Sequence, residues 1–261
     1  MSDVALAFRQ AGYGLKSLTR NPRALVFGVV FPVILFVMFA SIFAKGGDET
    51  TRVNGEEIGA DAYFAAGMIA YAIMMAAFSN VAIALTSQRE TGLLKRFRGT
   101  PVPAWTFIAA QVLRSIVQVV IVSGAILLVA RFGYDVHISS DGFLELVVFI
   151  VLGTAALCAL GVAITAITTT PESASTIAPF TTVMLSFISG VFIPIDQLPD
   201  SLVEIGRVFP LAHLAEGLQA AFGTGAAHLS GKNVAVLGIW GVAGIISAAR
   251  RFQWQPRATG G

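Results

Sequence analysis

The stretch 88–105, QRETGLLKRFRGTPVPAW, sits between two long apolar runs, and its reading decides what kind of chain this is. Taken as a helix over 88–98, it brings Leu93, Leu94 and Phe97 onto one side, while Arg89, Lys95, Arg96 and Arg98 spread over the rest. Gly99, Thr100, Pro101 and Pro103 then stop it. Thr100 can cap a following helix, with Pro101 at a first position where a missing N–H costs nothing. The expectation is a short basic elbow, pressed on the inner face of a membrane and joining two spans. The plainer alternative is a positively charged loop that only fixes topology.

Composition supports the membrane. Of 261 residues, 56% are hydrophobic and only 12% charged, and the mean hydropathy is +0.78. Most of such a chain belongs in lipid. A net charge of +2, with the basic residues dispersed, excludes nucleic acid as a partner. The single cysteine, Cys158, lies in an apolar run, which rules out an internal disulfide and any Cys-rich metal site.

Taken in order, Val4, Phe8, Ala11, Leu15 and Leu18 form a stripe, with Arg9, Lys16, Arg20 and Arg23 off it. An interfacial helix over 1–23 is expected, against the alternative of a loosely ordered basic tail. Spans are expected at about 24–44, 62–86, 105–130, 143–168, 173–195 and 234–249. Pro32 should kink the first, and the acidic, Gly-rich residues 45–61 read as a solvated turn. Over 196–232, Leu202, Ile205 and Val208, then Leu211, Leu214, Leu218 and Phe222, form two patterns split by Pro210. Each is too short to cross a bilayer and suits a re-entrant or interfacial hairpin. The fold class is therefore an all-α polytopic membrane protein of six transmembrane helices, with an N-terminal interfacial helix and an outer re-entrant hairpin before the last span.

A few polar and small residues stand out. Gln111, Arg114 and Gln118 share a face of the third span, where Arg114 either snorkels to the surface or joins a polar face lining a solute path or dimer seam. Glu204, His213 and Glu216 are the hairpin's polar groups, with the wet face of surface helices as the alternative. Ser186 and Gly190 make a small-xxx-small pair, and Gly238, Gly241 and Gly244 read as one packing side of the last span.

Counting charge sets the orientation. With both termini and the elbow inside, eleven of the 17 Lys and Arg residues are inside and five outside, Arg114 being within a span. This is the positive-inside pattern. Only Asp3, Glu90 and Glu172 of the 15 acidic residues fall inside, and no carboxylate is read within a span.

The order Arg89-Glu90-x-Gly92 followed by Leu94, Arg96 and Thr100-Pro101 resembles the loop after the second span in permeases of the type 2 ABC-transporter membrane-domain family. The similarity extends to the length, the six spans and the Pro-rich segment before the last span, so that 1–261 reads as a single domain of that type. The resemblance implies that 88–104 is the coupling loop, with Arg89, Glu90, Gly92, Leu93, Leu94, Arg96, Phe97, Arg98, Thr100 and Pro101 facing an ATP-binding subunit. It also implies two cytosolic ATPase copies carrying ATP and Mg, a second permease copy or a sister permease, and a place in the bacterial inner membrane among lipid. Export of an amphipathic solute is the expected activity.

The chain itself lacks the chemistry. No G-x-x-x-x-G-K-[ST] loop is present, since the nearest string, 225–233, has the wrong spacing and ends in Asn233. There is no H-E-x-x-H zinc site and no G-x-S-x-G elbow, so no catalytic or metal residue is assigned. A nucleotide-independent channel or membrane scaffold is the competing reading, and an intramembrane enzyme the third.

Overall fold

The computed structural model describes residues 12, 26–43, 50–53, 56–93, 104–168, 170–223 and 229–251. The expected interfacial helix over 1–23, Gly12 apart, and residues 94–103 of the elbow lie outside the described residues.

The described chain is mostly helical. α1 opens as a π turn, Val26–Val30, and continues as an α-helix over Phe31–Phe43. Pro32 has no N–H to bond back to Gly28, and the widened turn lies just before it. Residues 45–61 contain a hairpin where a solvated turn was expected. β1, Thr50–Val53, pairs antiparallel with β2, Glu56–Gly59, with Val53 opposite Glu56. The residues between them are Asn54-Gly55, the pair best suited to a two-residue hairpin turn. The class is therefore mostly helical with one small sheet, and not all-α.

α2 runs from Ala60 to Glu90, interrupted by a π turn over Met74–Ser79. α3 is Ala104–Gly133, α4 is Ser140–Ile164 and α5 is Pro171–Ile188. After a 3-10 turn, α6, Asp200–Gly206, and α7, Pro210–Ala220, occupy the two short amphipathic patterns, and α8, Gly231–Arg251, closes the described chain. The caps are legible chemistry. Ser139 accepts from the Gly142 N–H to start α4, and Thr170 and Ser173 form a capping box with Pro171 at the first turn of α5. α5 stops well before the expected 195, because Gly190 takes a φ of +71 and Pro194 follows.

Among the described residues, four helices are long and apolar enough to cross a membrane: α2, α3 over Ile108–Gly133, α4, and α8 over Gly231–Arg250. α1 is apolar but shorter as described. α5 has 18 residues, diluted by hydroxyls at Ser173, Ser175, Thr176, Thr181, Thr182 and Ser186.

α2 is the hub, packed by α1, α3, α4, α5 and α7. Gly161 of α4 lies against the π turn of α2, so close that a Cβ there would stand 2.8 Å from the carbonyl oxygens of Ala77 and Phe78. α7 is wedged among α2, α4 and α8 with Leu211, Leu214 and Leu218 buried, whereas Leu202, Ile205 and Val208 around α6 are exposed. α8 leans on α4 through Gly241 and Gly244, which meet Ala156 and Ala159. Gly238, expected on that same side, has nothing within 4 Å and faces away.

His213 is buried and is not on a wet face. Its Nε2 donates to the Arg207 carbonyl at 2.9 Å, and its Nδ1 meets Asn233 Oδ1 at 2.8 Å. Asn233 Nδ2 is left without a partner in that pose. Turning the amide over points Nδ2–H at the ring nitrogen and gives that donor a partner. With Trp240 Nε1 donating to the Val208 carbonyl at 3.0 Å, this pair ties the start of α8 to the α6–α7 corner.

Candidate coupling site

The decisive geometry lies where α2 ends. Thr91 N–H bonds the Ser87 carbonyl at 3.0 Å, Gly92 N–H bonds the Arg89 carbonyl at 3.1 Å, and Gly92 has a φ of +70. This is a glycine C-cap. The helix expected over 88–98 is thus broken at Gly92: Gln88, Arg89 and Glu90 are the last turn of the second span, and the chain leaves that helix only after them. The cause is Arg89. It is 4% exposed, and its guanidinium donates through Nη1 to the Thr165 carbonyl at 3.0 Å and through Nη2 to the Thr168 carbonyl at 2.8 Å. Both carbonyls lie just past the C-terminal end of α4, where orphan carbonyls concentrate negative potential. A planar fork satisfies two of them at once.

Further polar ties run up α2. The π turn leaves the Ala76 carbonyl for Ser115 Oγ of α3, which donates to it at 3.1 Å. Ser79 Oγ meets Thr182 Oγ1 of α5 at 2.7 Å. Gln111 Nε2 makes a long contact, 3.4 Å, with Gln88 Oε1. At the opposite end of α2, the Gly190 carbonyl accepts from Tyr63 Oη and from Gln219 Nε2. Ser186 and Gly190 are consequently buried within the chain's own bundle and are not a surface pair.

The ABC-2 type transporter family pattern matches residues 12–222. The chain belongs to the ABC-2 type transporter family. It is also similar to a protein of Bacillus subtilis (strain 168) named "Putative transport permease YvfS", 22% identical over 204 residues, which cover 78% of this chain and 80% of that protein. Family members are membrane permease subunits, and membership implies association with an ATP-binding subunit. As an ABC-2 type transporter chain with several apolar helices, it is a multi-pass membrane protein.

The remaining residues singled out in this ABC-2 chain are scattered. Glu90 and Leu93 are exposed beside the C-cap, whereas Leu94, Arg96, Phe97, Arg98, Thr100 and Pro101 lie outside the described residues. Gln111 and Gln118 are buried, the latter with its amide nitrogen 2.8 Å from where a Cβ on Gly28 would stand, and Arg114 is half-buried. Glu204 is exposed and Glu216 half-buried, on α6 and α7. One carboxylate escaped the reading of the sequence. Glu145 is buried within α4, so the spans are not free of carboxylates. Its position inside the run 143–168 was the available signal.

A cavity of about 450 Å³ opens between α3, α4 and α8, walled by Ile108, Val112, Cys158, Val162, Ile245 and Ala248 with no charged side chain. Among the described residues no three His, Cys, Asp or Glu side chains converge as metal ligands.

Proposed function

We infer that this chain is the membrane-spanning subunit of an ATP-driven exporter that moves a drug-like or lipid-linked amphipathic solute out of the cytoplasm or inner leaflet. The observation that carries this reading is the seating of Arg89: the loop expected to meet the ATPase leaves from a helix end already bonded to the chain between α4 and α5. A push on that loop has a solid path into the bundle. Solute movement against a gradient needs free energy, and the sequence holds no phosphate-binding loop, so ATP and Mg belong to the partner. In this reading α1 to α5 and α8 are the six spans, α6 and α7 the re-entrant outer hairpin, and both termini cytoplasmic in a bacterial inner membrane. Two copies of the chain, or one with a sister permease, join two ATPases. The apolar cavity walls favour an amphipathic solute over an ion.

The test begins with purification from native membrane in mild detergent and mass identification of the proteins that accompany the chain. An ATP-binding subunit in about equal amount is expected. Replacing Arg96→Glu together with Arg98→Glu should then abolish ATP-dependent uptake of a lipophilic dye into inside-out vesicles while the spans stay folded. Normal uptake by the double variant removes the elbow from the mechanism. Recovery of the chain alone, with no nucleotide-dependent activity, leaves a channel or scaffold.

A further inference from the structure

The elbow's first arginine belongs to a different device from its later ones. Arg89 is buried and its fork is engaged by the Thr165 and Thr168 carbonyls. A docking partner would need a side chain that reaches solvent, as Glu90 and Leu93 do. Thr165 follows the last turn of α4, and Thr168 lies two residues before Thr170, whose side chain caps α5. The guanidinium therefore joins the C-terminal end of α2 to the chain just past the C-terminal end of α4, close in sequence to the start of α5.

Burial of a cation at this depth is costly unless its donors are met. The two carbonyls take one donor each from Nη1 and Nη2, and removing the fork leaves orphan acceptors past the end of α4. A second tie between α2 and α5, Ser79 to Thr182 at 2.7 Å, sits at the π turn further along the helix. Two fastenings at different heights resist both sliding and splaying of α2 against α5. Hydrogen bonds between rigid helices are among the contacts that carry coupling through a bundle.

We propose that Arg89 is a positioning residue, a latch that makes the inner ends of α2, α4 and α5 move as one body when the loop beyond Gly92 is displaced. This rests on the permease reading but is not entailed by it, since the loop could equally drive α2 alone.

The experiment uses the full complex with its ATPase subunit. Spin labels are placed on Glu90→Cys and Glu172→Cys, both flanking the latch, in a Cys158→Ala background. Their separation is measured nucleotide-free and after trapping with ATP and vanadate. With Arg89 present the separation is expected to stay constant. With Arg89→Gln it should change by about 2 Å or more on trapping, the scale of helix shifts at switching interfaces, while the ATPase subunit still co-purifies at the native ratio. A shift of that size in the chain with Arg89 overturns the proposal, as does a constant separation in Arg89→Gln. Loss of the ATPase subunit in Arg89→Gln makes the residue a docking contact and also overturns it. If the chain with Arg89 brings down no ATPase subunit, the permease reading falls and the latch with it, a result distinct from the others. Should Arg89→Gln fail to reach the membrane, Arg89→Lys, which keeps the charge but not the fork, replaces it with the same readings deciding.

Discussion

α2 and α8 carry the same signature of apolar length and occupy opposite places. In their most apolar stretches 78% of the residues of α2 are buried and 17% of those of α8. Tyr63, Phe64, Met68, Ile69 and Ile73 of α2 are enclosed, while Ile239, Val242, Ile245 and Ile246 of α8 stand free. Lipid tails are as apolar as leucine, so hydrophobicity alone gives helices no reason to associate in a membrane. Close approach and hydrogen bonds decide instead. α2 has both on several sides: Ala76 and Ala77 against α3 and α4, Ser79 on Thr182, Arg89 on the end of α4. α8 has small residues facing one neighbour, Gly241 and Gly244 on α4, and its polar ties, Asn233 and Trp240, lie in its first half. Hydropathy identifies a span, and small and polar residues place it.

The sharpest way to break this contrast is a matched pair of glycines. Gly161→Ala puts a methyl 2.8 Å from two backbone oxygens of the α2 π turn, atoms that cannot rotate away. Overpacking of that kind costs about 1–3 kcal/mol. Gly238→Ala on α8 meets nothing within 4 Å, and the better helix former should be neutral or gain up to about 1 kcal/mol. Thermal unfolding in detergent compares them, with a clear loss expected for the first and none for the second. Equal losses would mean that the centre of the bundle is no more tightly determined than its edge.

Legibility in the sequence divides along the same line. Long apolar runs located the helices: each of the six expected segments holds one, though α4 ends at Ile164 and α5 at Ile188, short of the expected 168 and 195. Helix ends differ most from the sequence expectation where contacts distant in the chain are made. α2 continues past 86 because Arg89 finds carbonyls 76 and 79 residues away. α5 stops at Ile188, where Gly190 takes a φ of +71, and the Gly190 carbonyl beyond that end is held by Tyr63, 127 residues distant, and Gln219. No local window contains either contact. Arg89 itself was legible as an elbow residue, but its direction was not, since an arginine among arginines reads as solvent-facing. The β1–β2 hairpin was different in kind: Asn54-Gly55 announced it locally, and the acidic, Gly-rich surroundings drew the reading to a loop.

A smaller effect is expected from the Ser79 hydroxyl. Ser79→Ala removes the bond to Thr182, but Thr182 Oγ1 also lies 3.1 Å from the Ala178 carbonyl and keeps a partner there. Interhelical hydrogen bonds in membranes average about 0.6 kcal/mol. Unfolding should shift by that order, well short of the loss at Gly161. A shift as large as that of Gly161→Ala would make the hydroxyl pair, and not close packing, the main determinant of where α2 sits.

The exposed face of α8 should matter least to stability and most to what touches the protein. Ile239 is 67% exposed, midway along the helix. Ile239→Cys in a Cys158→Ala background should alter stability by no more than about 0.5 kcal/mol, as surface substitutions do. If lipid covers this face, the new thiol reacts with a membrane-soluble maleimide and resists a charged, water-soluble one. Ile69→Cys, enclosed within α2, should resist both. Rapid labelling of position 239 by the charged reagent would place the face on an aqueous space, and protection from both reagents would place a second helix or a second copy over it. Either result would move α8 from the edge of the bundle towards its interior, and the difference in burial from α2 would then belong to the isolated protomer and not to the assembled transporter.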